Sequence, residues 1–216
     1  IEVVESVESA VRIHHRFMSE RKHEASIVIT LAGGQIQETA QDRGITEAAA
    51  LAWNRPAASA LSSTQIRDLM TGKKVYVTGR ADQDSLTLTV SGAPDDLEGG
   101  LQLAYLLLTD PLIEPAALEQ WKETEAQRIA ARKTQPAGVL AETVAGSFYP
   151  PDETRTKPLE TSQVQQIRLD AAQAWLRKII AEAPIEVSVV GDLPRPAALA
   201  LIERYLGGLP PRARVS

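Results

Sequence analysis

The chain of 216 residues has no cysteine, two phenylalanines and three histidines. The missing cysteine excludes a disulfide scaffold, every thiolate zinc site and every cysteine nucleophile. It leaves the compartment open, because a cysteine-free chain suits the cytoplasm and the periplasm equally. Three histidines leave few places for metal or acid–base chemistry. Long apolar runs are also missing. The longest, Leu101 to Leu108, is interrupted by Gln102 and falls far short of the ~20 residues that span a bilayer. Basic charge is not in excess, since 23 Lys and Arg face 28 Asp and Glu for a net charge of −5. No nucleic-acid footprint and no membrane anchor are therefore expected. There is no repeat of solenoid period, no G-x-S-x-G elbow and no P-loop. Gly33-Gly34, Gly99-Gly100 and Gly207-Gly208 are simple pairs that read as turns or close packing. The stretch from Ile1 to Val11 has neither signal-peptide nor transit-peptide character, and the chain opens without methionine, which reads as a segment of a longer polypeptide.

What is present is the composition of a folded domain: 44% of residues are hydrophobic and 24% charged, enough for a sizeable core. Residues 1–20 mix charges with valines and read as a linker or arm, with one domain over 21–212. Ala25 to Leu31 (ASIVITL) is a β-branched apolar run stopped by Gly33-Gly34, which predicts a buried strand. Thr46 is expected to cap a helix through Ala48 to Trp53, and Ser62-Ser63-Thr64 opens a short helix closed by Gly72. Lys73 to Thr78 and Ser85 to Val90 form a strand pair, the second alternating strictly. A helix with Leu97, Leu101, Ala104, Tyr105 and Leu108 on one stripe follows, then a longer one from Pro115 to about Lys133 and one from Val139 to Phe148. Tyr149 to Pro158 is a polar, proline-rich loop. Asp170 to Ala183 is helical, Ile185 to Val190 is an alternating strand, and Arg195 to Leu206 is a terminal helix. Helices cluster between strand pairs instead of alternating with them, which predicts an α+β fold on a mostly antiparallel sheet.

Few of these residues point to chemistry by themselves. His14 and His15 are adjacent, so they cannot share one face of a helix or strand, and His23 lies eight residues further on. A metal site from the three would need the segment to fold back on itself. Glu119, Glu123 and Glu125 lie among Lys122 and Arg128 and read as a solvated helix face. Trp53, Trp121 and Trp175 fall on helical stripes and read as core anchors.

The order of the segments nevertheless resembles one domain of the pitrilysin/insulinase-type zinc metallopeptidases, which include the mitochondrial processing peptidases. The carrying segments are Glu24 to Gly34 (EASIVITLAGG), Gln41 to Trp53 (QDRGITEAAALAW) and Ser62 to Gly72 (SSTQIRDLMTG), then the strand pair through Val90 and the helix ending at Pro111. Leu169 to Ala183, Pro184 to Asp192 (PIEVSVVGD) and Tyr205 to Pro210 (YLGGLP) complete the series over roughly residues 20 to 212. The resemblance implies a two-layer sandwich with helices packed on one face of the sheet. In catalytic members, H-x-x-E-H on the helix after the first strand supplies two zinc ligands and the base that activates the bound water. With Gly44 as the anchor, those positions are Glu47, Ala50 and Leu51 here, so both histidine ligands and the base are absent. A further glutamate ligand would fall within Glu123 to Arg132.

The resemblance therefore implies a non-catalytic domain that carries no cofactor itself and pairs with a homologous zinc-bearing domain, in the same chain or another subunit. The pair would enclose a chamber for peptides or unfolded polypeptide. In the catalytic half, substrate adds as an extra strand at a sheet edge. The matching residues here are Lys74, Val75, Tyr76 and Val77, which also read as an ordinary sheet strand. The alternative is a free-standing structural or interaction module with the same fold and no role in proteolysis.

Overall fold

A computed structural model describes residues 2–5, 11–148 and 157–210. Its strands are β1 (Glu2–Glu5), β2 (Arg12–Phe17), β3 (Ala25–Ala32), β4 (Val75–Ala81), β5 (Ser85–Gly92) and β6 (Ile185–Gly191). The helices are α1 (Ile45–Asn54), α2 (Ser63–Met70), α3 (Leu97–Thr109), α4 (Pro115–Thr134), α5 (Pro136–Phe148), α6 (Thr161–Gln166), α7 (Leu169–Glu182) and α8 (Arg195–Leu206). The strands form one sheet in the order β1-β2-β6-β3-β5-β4. Only the β2–β6 pairing is parallel among the described residues, so the predicted mostly antiparallel α+β architecture holds.

Alternation decides which face of the sheet is buried. Ile27, Ile29 and Leu31 of β3, Leu86, Leu88 and Val90 of β5, and Ile185, Val187 and Val189 of β6 all point to one side and are almost fully buried. The register places Ile27 opposite both Val90 and Val189, so the three rows form one apolar patch. Helices α1 and α3 pack against the β4–β5 end of the sheet, α1 also packs on α7, and α3 packs on α8. The other face carries Ser26, Thr30, Thr87, Thr89, Ser91 and Ser188, which stay partly exposed. Trp53 is the largest fully buried side chain, and its indole N–H donates to the Leu107 carbonyl at 3.1 Å, tying α1 to α3. Gly79 in β4 is required by this packing, since a Cβ there would collide with Cβ of Trp53.

Several local expectations are corrected. Residues 12–17, expected in an arm, form β2 inside the sheet, with Val11, Ile13 and His15 buried. Their polar character hid the strand, because only alternate side chains face the core. Thr46 does not cap α1; it is the second residue of the helix, and the carboxylate of Glu38 takes the capping role described below. Tyr105 turns toward solvent, while Leu107 takes the buried place on α3. Trp121 and Trp175 are half-buried, and Glu125, expected on a solvated face, is buried. The short helix α6 has no counterpart in the sequence pattern. Of the expected loop Tyr149 to Pro158, residues 149–156 lie outside the described residues. Ser62 caps α2 as expected, in a reciprocal capping box with Gln65.

Candidate functional site

The motif positions lie on α1, whose start is fixed by an unusual cap. Gly44 precedes the helix with φ of +88°, a conformation that favours glycine. Glu38, only 7% exposed, accepts from the Gly44 amide at 3.0 Å and from the Thr46 amide at 3.0 Å. A buried carboxylate thus satisfies two helix-start donors and opposes the positive end of the helix dipole. Arg43 Nε lies 3.4 Å from the same carboxylate and balances its charge.

In the first turn of α1, Glu47 faces α4. There Arg128 donates to Glu125 at 2.8 Å and stands 3.7 Å from Glu47. Glu125 is 4% exposed, so its ion pair with Arg128 is buried at the carboxylate end. Burial pushes the Glu47 carboxyl above the usual glutamate range, the Glu125 carboxylate adds to the rise, and the Arg128 guanidinium opposes it. The hydrogen bond to Glu125 holds the Arg128 guanidinium still more firmly protonated. These side chains, with Glu38, Arg43 and Arg132, line a polar cleft of about 270 Å³.

The structure thus brings Glu47 together with Glu125 from the Glu123 to Arg132 stretch. The other two motif positions, Ala50 and Leu51, are buried aliphatic side chains with 1% and 8% exposure. Neither can ligate a metal or take a proton. The remaining pair of carboxylates already has a counter-ion in Arg128, whose guanidinium cannot be deprotonated. A zinc ion bound ~2 Å from both carboxylates would sit against that fixed cation. The residues at the motif positions do not fit a zinc site. Among the described residues, no group of three or more His, Asp or Glu is arranged to hold a metal.

The histidines are engaged elsewhere. His14 and His15 point to opposite faces of β2: His14 Nε2 lies 3.3 Å from Glu186, and His15 donates from Nε2 to the Leu193 carbonyl at 2.9 Å. His23 stands outside the strand in a left-handed conformation, its backbone amide donating to Asp192 at 3.0 Å.

The second candidate is the sheet edge. β4 is the last strand in the order, so one side of it has no neighbouring strand among the described residues. The Lys74 carbonyl accepts from Ala93 and the Asp82 amide donates to the Ser85 carbonyl, so even-numbered residues carry the ladder bonds to β5. The amides and carbonyls of Val75, Val77 and Gly79 therefore point away from β5. No described residue bonds to them. Lys74 also turns its amide inward, to Asp96 at 3.2 Å. Of the four edge candidates, Val75 and Val77 present free backbone and Lys74 and Tyr76 do not, although the Tyr76 side chain is 70% exposed. Beside this edge, α1, α2 and β4 bound a groove of about 580 Å³ with Ile66, Met70, Val75, Val77 and Leu103 in its wall. Sequence reasoning found the strand but not the groove, because α2 and the end of α1 meet β4 only in three dimensions.

No family model matches the chain. It is 25% identical over 177 residues to the probable zinc protease PqqL of Escherichia coli (strain K12), covering 82% of this chain and 19% of that protein. The crystal structure of the periplasmic protease PqqL from Escherichia coli superposes with a TM-score of 0.79 at 22% identity, over 94% of this chain and 22% of that one. An inactive peptidase M16 domain from Pseudomonas fluorescens superposes with a TM-score of 0.78 at 16% identity, over all of this chain and 53% of that one. The chain thus spans about a fifth of the length of the curated relative it matches. Its fold is that of a pitrilysin-like peptidase domain. No helix among the described residues is long and apolar enough to cross a membrane.

Proposed function

We propose that this chain is a non-catalytic domain of a pitrilysin-type peptidase, pairing with a homologous zinc-bearing domain to enclose a peptide chamber. The observation that carries the reading is the content of the motif helix. Where the fold would hold zinc, Glu47, Arg128 and Glu125 form a self-contained ion cluster, and Ala50 and Leu51 are core side chains. Charge that a cation would otherwise supply comes from Arg128. Zinc belongs, in this reading, to the partner half, in the same polypeptide or in another subunit.

The free edge of β4 gives the domain its share in holding polypeptide. An extended segment laid along it would bond to the Val75 and Val77 backbone and tolerate many sequences, because main-chain groups do the recognising. This agrees with the resemblance to PqqL, named as a probable zinc protease and as a periplasmic protease.

Zinc content and hydrolysis of a fluorogenic peptide by the isolated chain provide the test. The expected result is less than stoichiometric zinc after dialysis and no turnover, with Glu47→Ala changing neither. Stoichiometric zinc with turnover that Glu47→Ala abolishes would overturn the reading.

A further inference from the structure

The groove beside β4 differs in charge from the chain taken as a whole. The molecule as a whole is acidic, at −5, yet the groove wall carries Arg55, Arg67 and Lys73 and no carboxylate among the described residues. All three cations are exposed, and no described residue forms an ion pair or side-chain hydrogen bond with them. Some exposed cations elsewhere are paired, Arg80 with Asp82, Lys133 with Glu160, Arg168 with Asp170 and Arg204 with Glu98, while Arg16, Arg21 and Lys22, at the end of β2 and in the turn after it, are exposed without lining either groove. Asp96, on the β4 side, accepts from the Lys74 amide. Glu114 accepts from Ser63 at the end of the groove, and Asp68 is exposed on α2 but does not line it.

We infer that this groove selects extended polypeptide carrying acidic side chains, with Arg55, Arg67 and Lys73 as the selecting groups. The inference rests on the reading of β4 as a peptide-holding edge. Three observations combine. Free amides and carbonyls at Val75 and Val77 call for a strand, since only an extended backbone offers matching groups at that spacing. Apolar side chains of Ile66, Met70 and Leu103 in the same wall offer contact for the methylene stems of its inward-facing side chains. Unpaired cations in a concave wall concentrate positive potential there. Side chains of an added strand alternate between faces, so acids at every second position would meet the wall together.

Titration of the full chain with fluorescein-labelled ten-residue peptides tests this. One peptide alternates valine with glutamate, and its counterpart replaces each glutamate with glutamine. Each exposed ion pair contributes a factor of about two to five, so the glutamate peptide is expected to bind about tenfold tighter at low salt. The advantage should shrink to about twofold in 0.5 M NaCl, where the Debye length falls to about 4 Å. In Arg55→Gln/Arg67→Gln the glutamate peptide should fall toward the affinity of the glutamine peptide. Hydrogen exchange should show protection of the Val75 and Val77 amides on binding.

The outcomes separate the two ideas. Equal binding of both peptides with protected Val75 and Val77 amides leaves the edge reading standing and overturns the acidic preference. Binding of neither peptide, or binding without that protection, overturns both. A preference that survives the double substitution assigns it to other cations and also overturns the inference. So does displacement of the glutamate peptide by a single-stranded oligonucleotide of equal charge at lower concentration, which would mark a phosphate site. The two arginines are exposed, so thermal unfolding of the double variant should stay within a few degrees of the parent chain.

Discussion

Glu47 carries an unfavourable burden that its neighbours only partly relieve. Burial and the Glu125 carboxylate raise its pKa, and Arg128 offsets part of the rise. A carboxyl raised in the folded state binds more protons there than in the unfolded chain over the interval between the two pKa values. Stability therefore falls as pH climbs through that interval, and the loss is complete above the folded pKa. Below the unfolded pKa both states are protonated and the penalty vanishes. Glu47→Gln, a neutral isostere, should accordingly raise the unfolding temperature at pH 7.5, and the difference from the parent should close as the pH falls to about 4. Differential scanning calorimetry at the two pH values reads this directly. A variant less stable than the parent at pH 7.5 would mean that the contact with Arg128 outweighs the burial of charge. Arg128 is 63% exposed at its side chain, so its contribution is that of a partly screened ion pair.

At the level of single elements, α1 depends on a residue outside itself. Glu38 supplies two bonds to the helix start from a position six residues before Gly44. Hydrogen bonds to a charged group contribute about 1.5–3 kcal/mol each, and the loss here would also strand Arg43 beside an empty place. Glu38→Ala should cost about 3 kcal/mol, read as a lowered urea midpoint, whereas Thr46→Val should cost less because the Thr46 hydroxyl has no hydrogen-bond partner among the described residues. Comparable losses for the two variants would show that Glu38 is not the cap.

This cap also marks the limit of what the sequence discloses. Strands β3, β5 and β6 were legible because their alternation matches a sheet with one buried face, and α2 because Ser62-Ser63-Thr64 opens it and Gly72 closes it. A cap delivered from Glu38 has no local signature. The same holds for Glu125. Its neighbours Thr124 and Glu123 are exposed, and only the approach of α1 to α4 makes its position interior. Glu47, Ala50 and Leu51 were singled out only through the family resemblance, and the cluster that Glu47 joins had no sequence signal, since Arg128 lies 81 residues further along the chain.

For the whole molecule, the least legible part is structurally central. β2 reads as RIHHRF, with two histidines and two arginines, and no periodicity rule ranks it as core. It nonetheless pairs in parallel with β6 over the whole strand, from Arg12 opposite Glu186 to Phe17 opposite Gly191. Its inward row of Ile13 and His15, with Val11 just before it, closes the core beside Val187 and Val189. Parallel pairing across so long a stretch of sequence joins the start of the described chain to its last strand, so the sheet is complete only when both are present. Burying two aliphatic side chains contributes about 3–6 kcal/mol, and the His15 bond to the Leu193 carbonyl adds about 1 kcal/mol. That sum is comparable with half the stability of an ordinary domain. Deleting residues 1–17 should therefore lower the unfolding temperature by well over ten degrees, and it should also expose β6 as a new apolar edge that promotes association. Thermal unfolding together with light scattering at several concentrations separates the two effects. If the truncated chain stayed monomeric and unfolded within a few degrees of the intact one, β2 would be an appended strand and the core would close without it.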